Sequence, residues 1–206
     1  MIDHVTTSGV FSLDGHDFEV ENNIWLVGDD REVLVIDAAH DQRRIAAAVG
    51  GRHAVAVAAT HGHNDHINVA VALADEIGAP IWIHRDDLML WEMVHPDRTP
   101  DDLLVDGQWL AAGSAMLQVL HTPGHTPGGC CFYDAEEGVL FSGDTLFKGG
   151  PGATGRSYSD FPTIVESIRT RLLTLPADTR VLTGHGEATT IGDEAPHLDE
   201  WIARGF

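Results

Sequence analysis

Between Val55 and Ile77 the chain changes pattern twice, and these changes restrict its fold more than any other feature. Val55-Ala56-Val57-Ala58-Ala59 is an unbroken apolar run of the length of a buried strand. Thr60-His61-Gly62-His63-Asn64-Asp65-His66 then brings four side chains able to bind a metal into six positions. Beyond it, Ile67, Ala70, Val71, Ala74 and Ile77 recur with helical spacing. A strand that passes into a helix through a polar turn is the working unit of an α/β fold, and such turns commonly carry the chemistry. Imidazole nitrogens and carboxylate oxygens are the usual ligands of zinc and other divalent transition metals. The competing reading is a polar turn that happens to contain three histidines.

Composition excludes several function classes. A chain of 206 residues with 43% hydrophobic residues can bury a proper core and is not a disordered segment. No apolar run approaches the roughly 20 residues of a membrane helix. Met1-Ile2-Asp3-His4-Val5-Thr6-Thr7 has neither the basic start nor the apolar stretch of a signal peptide, so a cytoplasmic location is expected. With 32 acidic and 12 basic residues the net charge is −20, which disfavours nucleic acid and anionic membranes as partners and leaves a small-molecule substrate. Oligomeric state is not expressed in any of these features. Cys130 and Cys131 are adjacent, which rules out a disulfide scaffold; in a strand they would face opposite sides as small buried hydrophobes.

Read in order, the chain predicts two blocks of strands with accompanying helices. Ser12 to Glu21 alternates around Asp14-Gly15 as a hairpin, and strands follow at 24–27 and 33–36, the latter ending on Asp37. Asp41 is placed to cap a short helix that stops at Gly50-Gly51. After the histidine turn come a helix ending near Gly78, a strand at 81–83, a helix over 85–94 and an irregular crossing over 96–108. Strands at 116–120, 130–133 and 139–141 follow, then a glycine-rich loop over 148–157. Phe161, Ile164, Val165, Ile168, Leu172 and Leu175 mark an amphipathic helix with Asp160 as its cap. Val181-Leu182 is the last core strand, and a final helix presents Leu198, Trp201 and Ile202 on one face. With no linker or low-complexity segment, residues 1–206 read as one domain in which two sheets pack together with helices outside.

Further strands also end in a ligand-type residue beside glycine: His125 in His121-Thr122-Pro123-Gly124-His125-Thr126-Pro127-Gly128, Asp144 in Ser142-Gly143-Asp144, and His185 in Gly184-His185-Gly186. Glycine lets such side chains project from a strand end without crowding. This series, with Asp37 ahead of it, resembles the metallo-β-lactamase superfamily over nearly the whole chain. The resemblance implies a four-layer αββα sandwich with its site at one edge of the two sheets. It implies that His61, His63 and His125 hold one divalent ion, that Asp65, His66 and His185 hold a second, and that Asp144 bridges them. Asp37 would orient the ligand turn without binding metal, and Asp65 would also position the nucleophile. Zinc is the first expectation for the two ions, with iron or manganese compatible with the same donors.

Gly143-Asp144-Thr145-Leu146-Phe147 is similar to the glyoxalase II branch, in its short single-domain form. True β-lactamases of the superfamily typically carry Cys or Ser in that region, and the flavodiiron group has Glu at the place of His63. The implied activity is thioester hydrolysis. Only 21 residues follow His185, so the helical domain with which full-length glyoxalase II binds glutathione is not expected, and mycothiol or bacillithiol stand beside glutathione as carriers. Lys148, Arg156 and Tyr158 are candidates to meet the substrate, or are ordinary loop residues. His40, His84 and His121 read as hydrogen-bonding histidines near strand ends, and Trp82, Trp91 and Trp109 as packing residues. The resemblance also admits a persulfide dioxygenase with one iron on His61, His125 and Asp144, and other hydrolases such as lactonases or β-lactamases. A non-catalytic metal-binding protein is the remaining alternative.

Overall fold

The computed structural model describes residues 1–205. Strands β1 (Ile2–Leu13) and β2 (His16–Gly28) form one long hairpin whose register runs from Ile2 opposite Val27 to Leu13 opposite His16. Its turn, Asp14-Gly15, has positive φ at both residues (54° and 74°), the two-residue turn that matches strand twist. The outer half is exposed on both faces while Asn22–Gly28 is buried, so the hairpin overhangs the sheet edge. This is longer than the hairpin expected over 12–21. The expected separate strand at 24–27 is its inner end.

β3 (Glu32–Ile36), α1 (Gln42–Val49), β4 (His53–Ala58), α2 (Asn64–Ile67), α3 (Ala70–Ile77), β5 (Ile81–His84), α4 (Leu88–Val94) and β6 (Asp102–Leu104) complete the first half. The side chain of Asp41 accepts from the Arg44 amide and caps α1, and Gly78 closes α3 in the left-handed conformation. The helix expected after the histidine turn is broken at Asn68-Val69. There the Val69 amide donates to the carbonyl of Ala38 and the Asn68 carboxamide accepts from the His40 amide. The apolar period continues across the break because Ile67 and Ala70 face the same core. β6 occupies part of the expected irregular crossing.

β7 (Trp109–Ala112), β8 (Ala115–His121), β9 (Cys130–Asp134), β10 (Val139–Gly143), β11 (Leu146–Phe147), β12 (Gly150–Pro151), α5 (Phe161–Ser167), β13 (Arg180–Thr183), β14 (Thr189–Thr190), α6 (Ile191–Glu194) and α7 (Leu198–Arg204) make the second half. Asp160 caps α5, and a wider helical turn over Ile168–Leu172 continues it. β7 and the small β11–β12 ribbon were not expected, since the first is alanine-rich and the second contains two glycines and a proline.

The strands form two six-stranded sheets, ordered β1-β2-β3-β4-β5-β6 and β14-β13-β10-β9-β8-β7. Val33, Val35, Val57, Ile81 and Ile83 pack outward against α1, α3 and α4, while Leu34, Ile36, Ala56 and Ala58 face Leu117, Val119, Phe132 and Phe141 of the other sheet. Leu140, Val181 and Cys131 meet Ile164, Ile168, Leu172 and Trp201 on the far side. The layers therefore run helix, sheet, sheet, helix, as the αββα expectation required. Cys130 lies between the sheets and Cys131 under the outer helices, on opposite faces of β9. Trp91 is core, Trp109 is exposed, and on α7 only Trp201 is buried while Ile202 faces solvent. Among the described residues no helix is long and apolar enough to cross a membrane.

β3, β4 and β5 run parallel, as do β10 and β13. Their C-terminal ends meet at one edge, where the Asn23 amide donates to the Gly184 carbonyl and the Cys130 amide to the Thr60 carbonyl. Every strand end singled out from the sequence opens onto this edge.

Candidate metal centre

His61, His63 and His125 present ring nitrogens within 4.8 Å of one another; so do donors of His61, His66 and Asp144, and of Asp65, His66 and His185. His61 Nε2 lies 3.1 Å from His63 Nδ1, and His66 Nε2 lies 3.2 Å from His185 Nε2. Asp144 stands between the groups: Oδ1 is 3.4 Å from His66 Nε2, and Oδ2 is 3.4 Å from His185 Nε2 and 3.6 Å from His125 Nε2. The seven donors expected from the sequence thus come together, Asp65 by way of His185 Nε2 at 3.3 Å from its Oδ2.

Four of the five histidines are held from behind through Nδ1, which aims Nε2 inward. His61 Nδ1 meets the Thr60 hydroxyl at 3.0 Å, and His66 Nδ1 meets Asp37 Oδ2 at 2.8 Å. His125 Nδ1 donates to the Ala153 carbonyl at 2.8 Å and His185 Nδ1 to the Glu21 carbonyl at 2.7 Å. A histidine tethered in this way has its ring orientation fixed with Nε2 turned inward, the arrangement usual for metal-bound imidazole. Asp37 lies behind this edge rather than in it. It accepts from the Thr60 amide at 2.7 Å and the Thr60 hydroxyl at 2.9 Å.

Three buried atoms at the centre, His63 Nε2, His125 Nε2 and Asp144 Oδ1, have no hydrogen-bond partner. Buried polar atoms are nearly always satisfied. Inward-facing imidazole nitrogens and a carboxylate oxygen left without partners fit a cation and little else, so the donor set suits divalent metal.

The electrostatics divide the centre in two. Burial, then the neighbouring His125, pushes the His63 ring down to about 3, and burial with His66 and His63 pushes His61 far down as well. Burial opposes charge on His185 too, but the Asp144 carboxylate lifts it to about 10. Burial would raise Asp65, yet His66 and the hydrogen bond from His185 outweigh it and hold it at about 2. Burial likewise opposes the charge on Asp144 and on His66; their mutual attraction, with His185 beside Asp144, carries the first well below and the second well above the ordinary value. His61 and His63 therefore offer neutral lone pairs, while His66 and His185 hold protons against the carboxylates that a cation would displace.

A cavity of about 240 Å³ opens onto the donors. Phe11 and Val20 of the hairpin, with Phe147 and Ala153, form its apolar wall. Phe11 lies over His63 with ring centroids 5.1 Å apart. Lys148, Arg156 and Tyr158 do not line this cavity. Lys148 pairs with Glu187 on the surface. Arg156 stacks 4.7 Å over Phe18, and Tyr158 sits in a left-handed turn with φ 70°. Ser157 donates to Asp14, so this loop clasps the hairpin tip. A larger hollow of about 590 Å³ between α4 and residues 95–103 contains none of the converging donors. His84, Asp86 and His121 form a further group with donor atoms within 4.8 Å of one another, away from this cavity; its two rings stack at 4.1 Å and 15°, and Asp86 is exposed.

Asn22 and Asp87 were not singled out in the sequence. The Asn22 carboxamide donates to Asp65 Oδ2 at 3.2 Å, and its oxygen accepts from His40 Nε2 at 2.9 Å. Asp87 lies in a single helical turn between β5 and α4 and reaches both histidine turns. Nothing local marks either residue: Asn22 sits in a strand and Asp87 in what reads as a helix.

The family model of the metallo-beta-lactamase superfamily matches residues 18–185. The chain belongs to this superfamily. Among its superfamily relatives is hydroxyacylglutathione hydrolase GloC of Haemophilus influenzae, 34% identical over 191 residues that span 84% of this chain and 90% of the relative. The likeness places the chain in the glyoxalase II-like branch. Among solved superfamily structures, the BLEG-1 B3 metallo-beta-lactamase superposes with a TM-score of 0.79 at 28% identity, covering 93% of this chain and 98% of its own. TTHA1623 in a di-iron-bound form superposes at 0.78 with 33% identity, covering 85% and 93%.

Proposed function

We propose that this chain is a binuclear metal-dependent hydrolase that cleaves thioesters, with residues 1–206 forming one metallo-β-lactamase-like domain. The observation that carries this reading is the convergence of two donor groups on Asp144. His61, His63 and His125 would hold one ion and Asp65, His66 and His185 the other, with Asp144 between them. Zinc suits these donors, as do iron and manganese; the similar TTHA1623 is named as di-iron-bound. Two divalent ions in such a cage supply a water that is nucleophilic at neutral pH and polarise a substrate carbonyl.

The protein's own groups do the remainder. Asp65 faces the cavity and is held by the Asn22 carboxamide, so it can orient the attacking water toward the carbonyl carbon. Phe11, Val20, Phe147 and Ala153 keep bulk water from the reacting bond. Every titratable residue in the cavity wall, His63, Asp65, His125, Asp144 and His185, is already assigned to the ions. A thiolate is a good leaving group that departs without protonation, so a wall whose described titratable residues are all assigned to the ions suits thioesters.

The relative named hydroxyacylglutathione hydrolase supports the same bond class. Among the described residues the cavity wall holds no lysine or arginine, so the carboxylates of a carrier such as glutathione would lie outside it, and mycothiol or bacillithiol fit equally. A persulfide dioxygenase would hold one iron on His61, His125 and Asp144 and can retain the other histidines; one iron per chain with persulfide-dependent oxygen uptake would favour it. The test is turnover of S-lactoylglutathione and of lactoyl thioesters of the other carriers by metal-loaded protein, followed as loss of thioester absorbance. Hydrolysis of at least one is expected; hydrolysis of none overturns the proposal.

A further inference from the structure

Asp87 has no solvent exposure, yet it carries a carboxylate that no basic side chain among the described residues pairs with. A buried carboxylate costs several kcal/mol unless its oxygens are hydrogen-bonded. Three donors meet that need. Oδ2 accepts from the Gly62 amide at 2.8 Å and from the Thr126 hydroxyl at 2.7 Å, and Oδ1 accepts from the Gly128 amide at 2.6 Å. Gly62 is the residue between His61 and His63, and Thr126 follows His125. One side chain thus ties together the two turns that supply the first donor group, which are more than 60 residues apart in sequence.

The fit is close on the His61–His63 side. A Cβ at Gly62 would lie 2.7 Å from Leu90 Cβ and 3.1 Å from the Asp87 carbonyl oxygen, so this turn is pressed onto the Asp87 turn and only glycine fits. The second donor group is held by other residues: His66 by Asp37, Asp65 by Asn22 and His185 by the Glu21 carbonyl. Asp87 touches none of these three. Asp37 also reaches His61 through the Thr60 hydroxyl and so serves both groups, whereas Asp87 reaches only the turns of the first.

We propose that Asp87 is the positioning residue of the His61–His63–His125 group: it holds the two turns at one separation and so sets that group's metal affinity independently of the Asp65–His66–His185 group. This rests on the two-ion reading above. An acceptor-only carboxylate is required because all three partners are donors; the amide nitrogen introduced by Asp87→Asn would face one of them donor to donor.

The experiment compares metal-loaded wild type, Asp87→Asn, Asp87→Ala and Thr126→Val, each stripped with increasing dipicolinate and read as ions retained per chain, with cobalt substitution and visible absorption as a second readout. Loss of a partner behind a metal ligand typically weakens affinity 10–100-fold. In Asp87→Asn one of the two ions should leave at roughly 10–100-fold lower chelator, with the other unmoved and one cobalt absorption component lost. Thr126→Val removes a single donor, leaves the carboxylate in place, and should shift the same ion less. Equal shifts of both ions, or no shift of either, overturns the proposal. Should the Asp87 variants fail to fold, the Thr126→Val titration decides it by the same criterion. If wild type retains only one ion, the two-ion reading is what fails, and Asp87 is then judged on whether its substitution releases that ion sooner.

Discussion

Asp37 Oδ2 and His66 Nδ1 meet at 2.8 Å with both side chains nearly sealed from solvent, at 2% and 1% exposure. Asp37 is also a non-glycine residue in the left-handed region, with φ 65°, a conformation that Asp and Asn tolerate best. The backbone turn after β3 is thus shaped to put one carboxylate under both the Thr60 amide and the His66 ring.

Asp37→Ala should lower metal affinity 10–100-fold and reduce stability by about 1–3 kcal/mol, because it leaves the Thr60 amide without an acceptor and the His66 ring without an anchor. Asp37→Asn keeps the turn and the Thr60 contact and should lose affinity with a smaller stability cost. Chelator titration and thermal melting of the two variants check both effects.

Metal removal should destabilise the protein. The partnerless His63 Nε2, His125 Nε2 and Asp144 Oδ1 gain their partners only in the metal-loaded form. A ligand present at a thousandfold excess over its dissociation constant adds about 4 kcal/mol. Calorimetry before and after chelation should show a melting temperature that falls by several degrees and returns when zinc, iron or manganese is restored.

Gly184→Ala should abolish activity while leaving secondary structure intact. A Cβ there would lie 2.3 Å from Asp144 Oδ1 and 2.8 Å from His66 Cε1, so the added methyl must displace the residue shared by both donor groups. Turnover should fall more than about 100-fold, since misplacement of a catalytic group by 1 Å costs that much. Circular dichroism checks the fold and metal analysis checks the centre.

The two loop cations should behave differently. Lys148 pairs with Glu187 at the solvent-exposed surface, away from the cavity, so Lys148→Ala should change kcat/KM less than about twofold. Arg156 stacks on Phe18 beside the Ser157–Asp14 clasp, so Arg156→Ala should loosen the hairpin that carries Phe11 and raise KM. Steady-state kinetics on one thioester separates them.

The cysteines should be silent in the native protein. Burial pushes the Cys131 thiol up to about 11 from 9.0, and burial and the neighbouring Cys131 raise Cys130 well above its ordinary value. Because the folded value is the higher one, this contribution is complete below pH 9.0 and is lost as pH rises through about 11. For Cys131 that loss is roughly 3 kcal/mol. Iodoacetamide at pH 8 should label neither thiol until denaturant is added, and alkaline stability should decline across that window.

How much of the protein could be read before folding depended on how local each signal is. The histidine turn between β4 and α2, the caps Asp41 and Asp160, and the opposed Cys130 and Cys131 all follow from spacing along one segment. Their periods and side-chain types act over a few residues. Ile202 shows where that stops: its spacing matches Trp201 and Leu198, but α7 meets the sheet along only one narrow stripe, and Ile202 falls outside it. The break at Asn68-Val69 was equally hidden, because the apolar period runs on across it while the carbonyl of Ala38, from another loop, takes the Val69 amide.

By itself the sequence determined the α/β character, the family resemblance and the seven candidate donors, since each is written in residue type and short spacing. Tertiary structure alone decided the rest. It set Asp144 between the donor groups, brought Asn22 from a strand and Asp87 from a helical turn behind the histidine turns, drew the long hairpin over the cavity, and turned Lys148 and Arg156 to other partners. The physical reason is that these relations are hydrogen bonds and packing contacts across wide sequence separations. They exist only once both sheets have buried their shared faces and brought their strand ends to one edge.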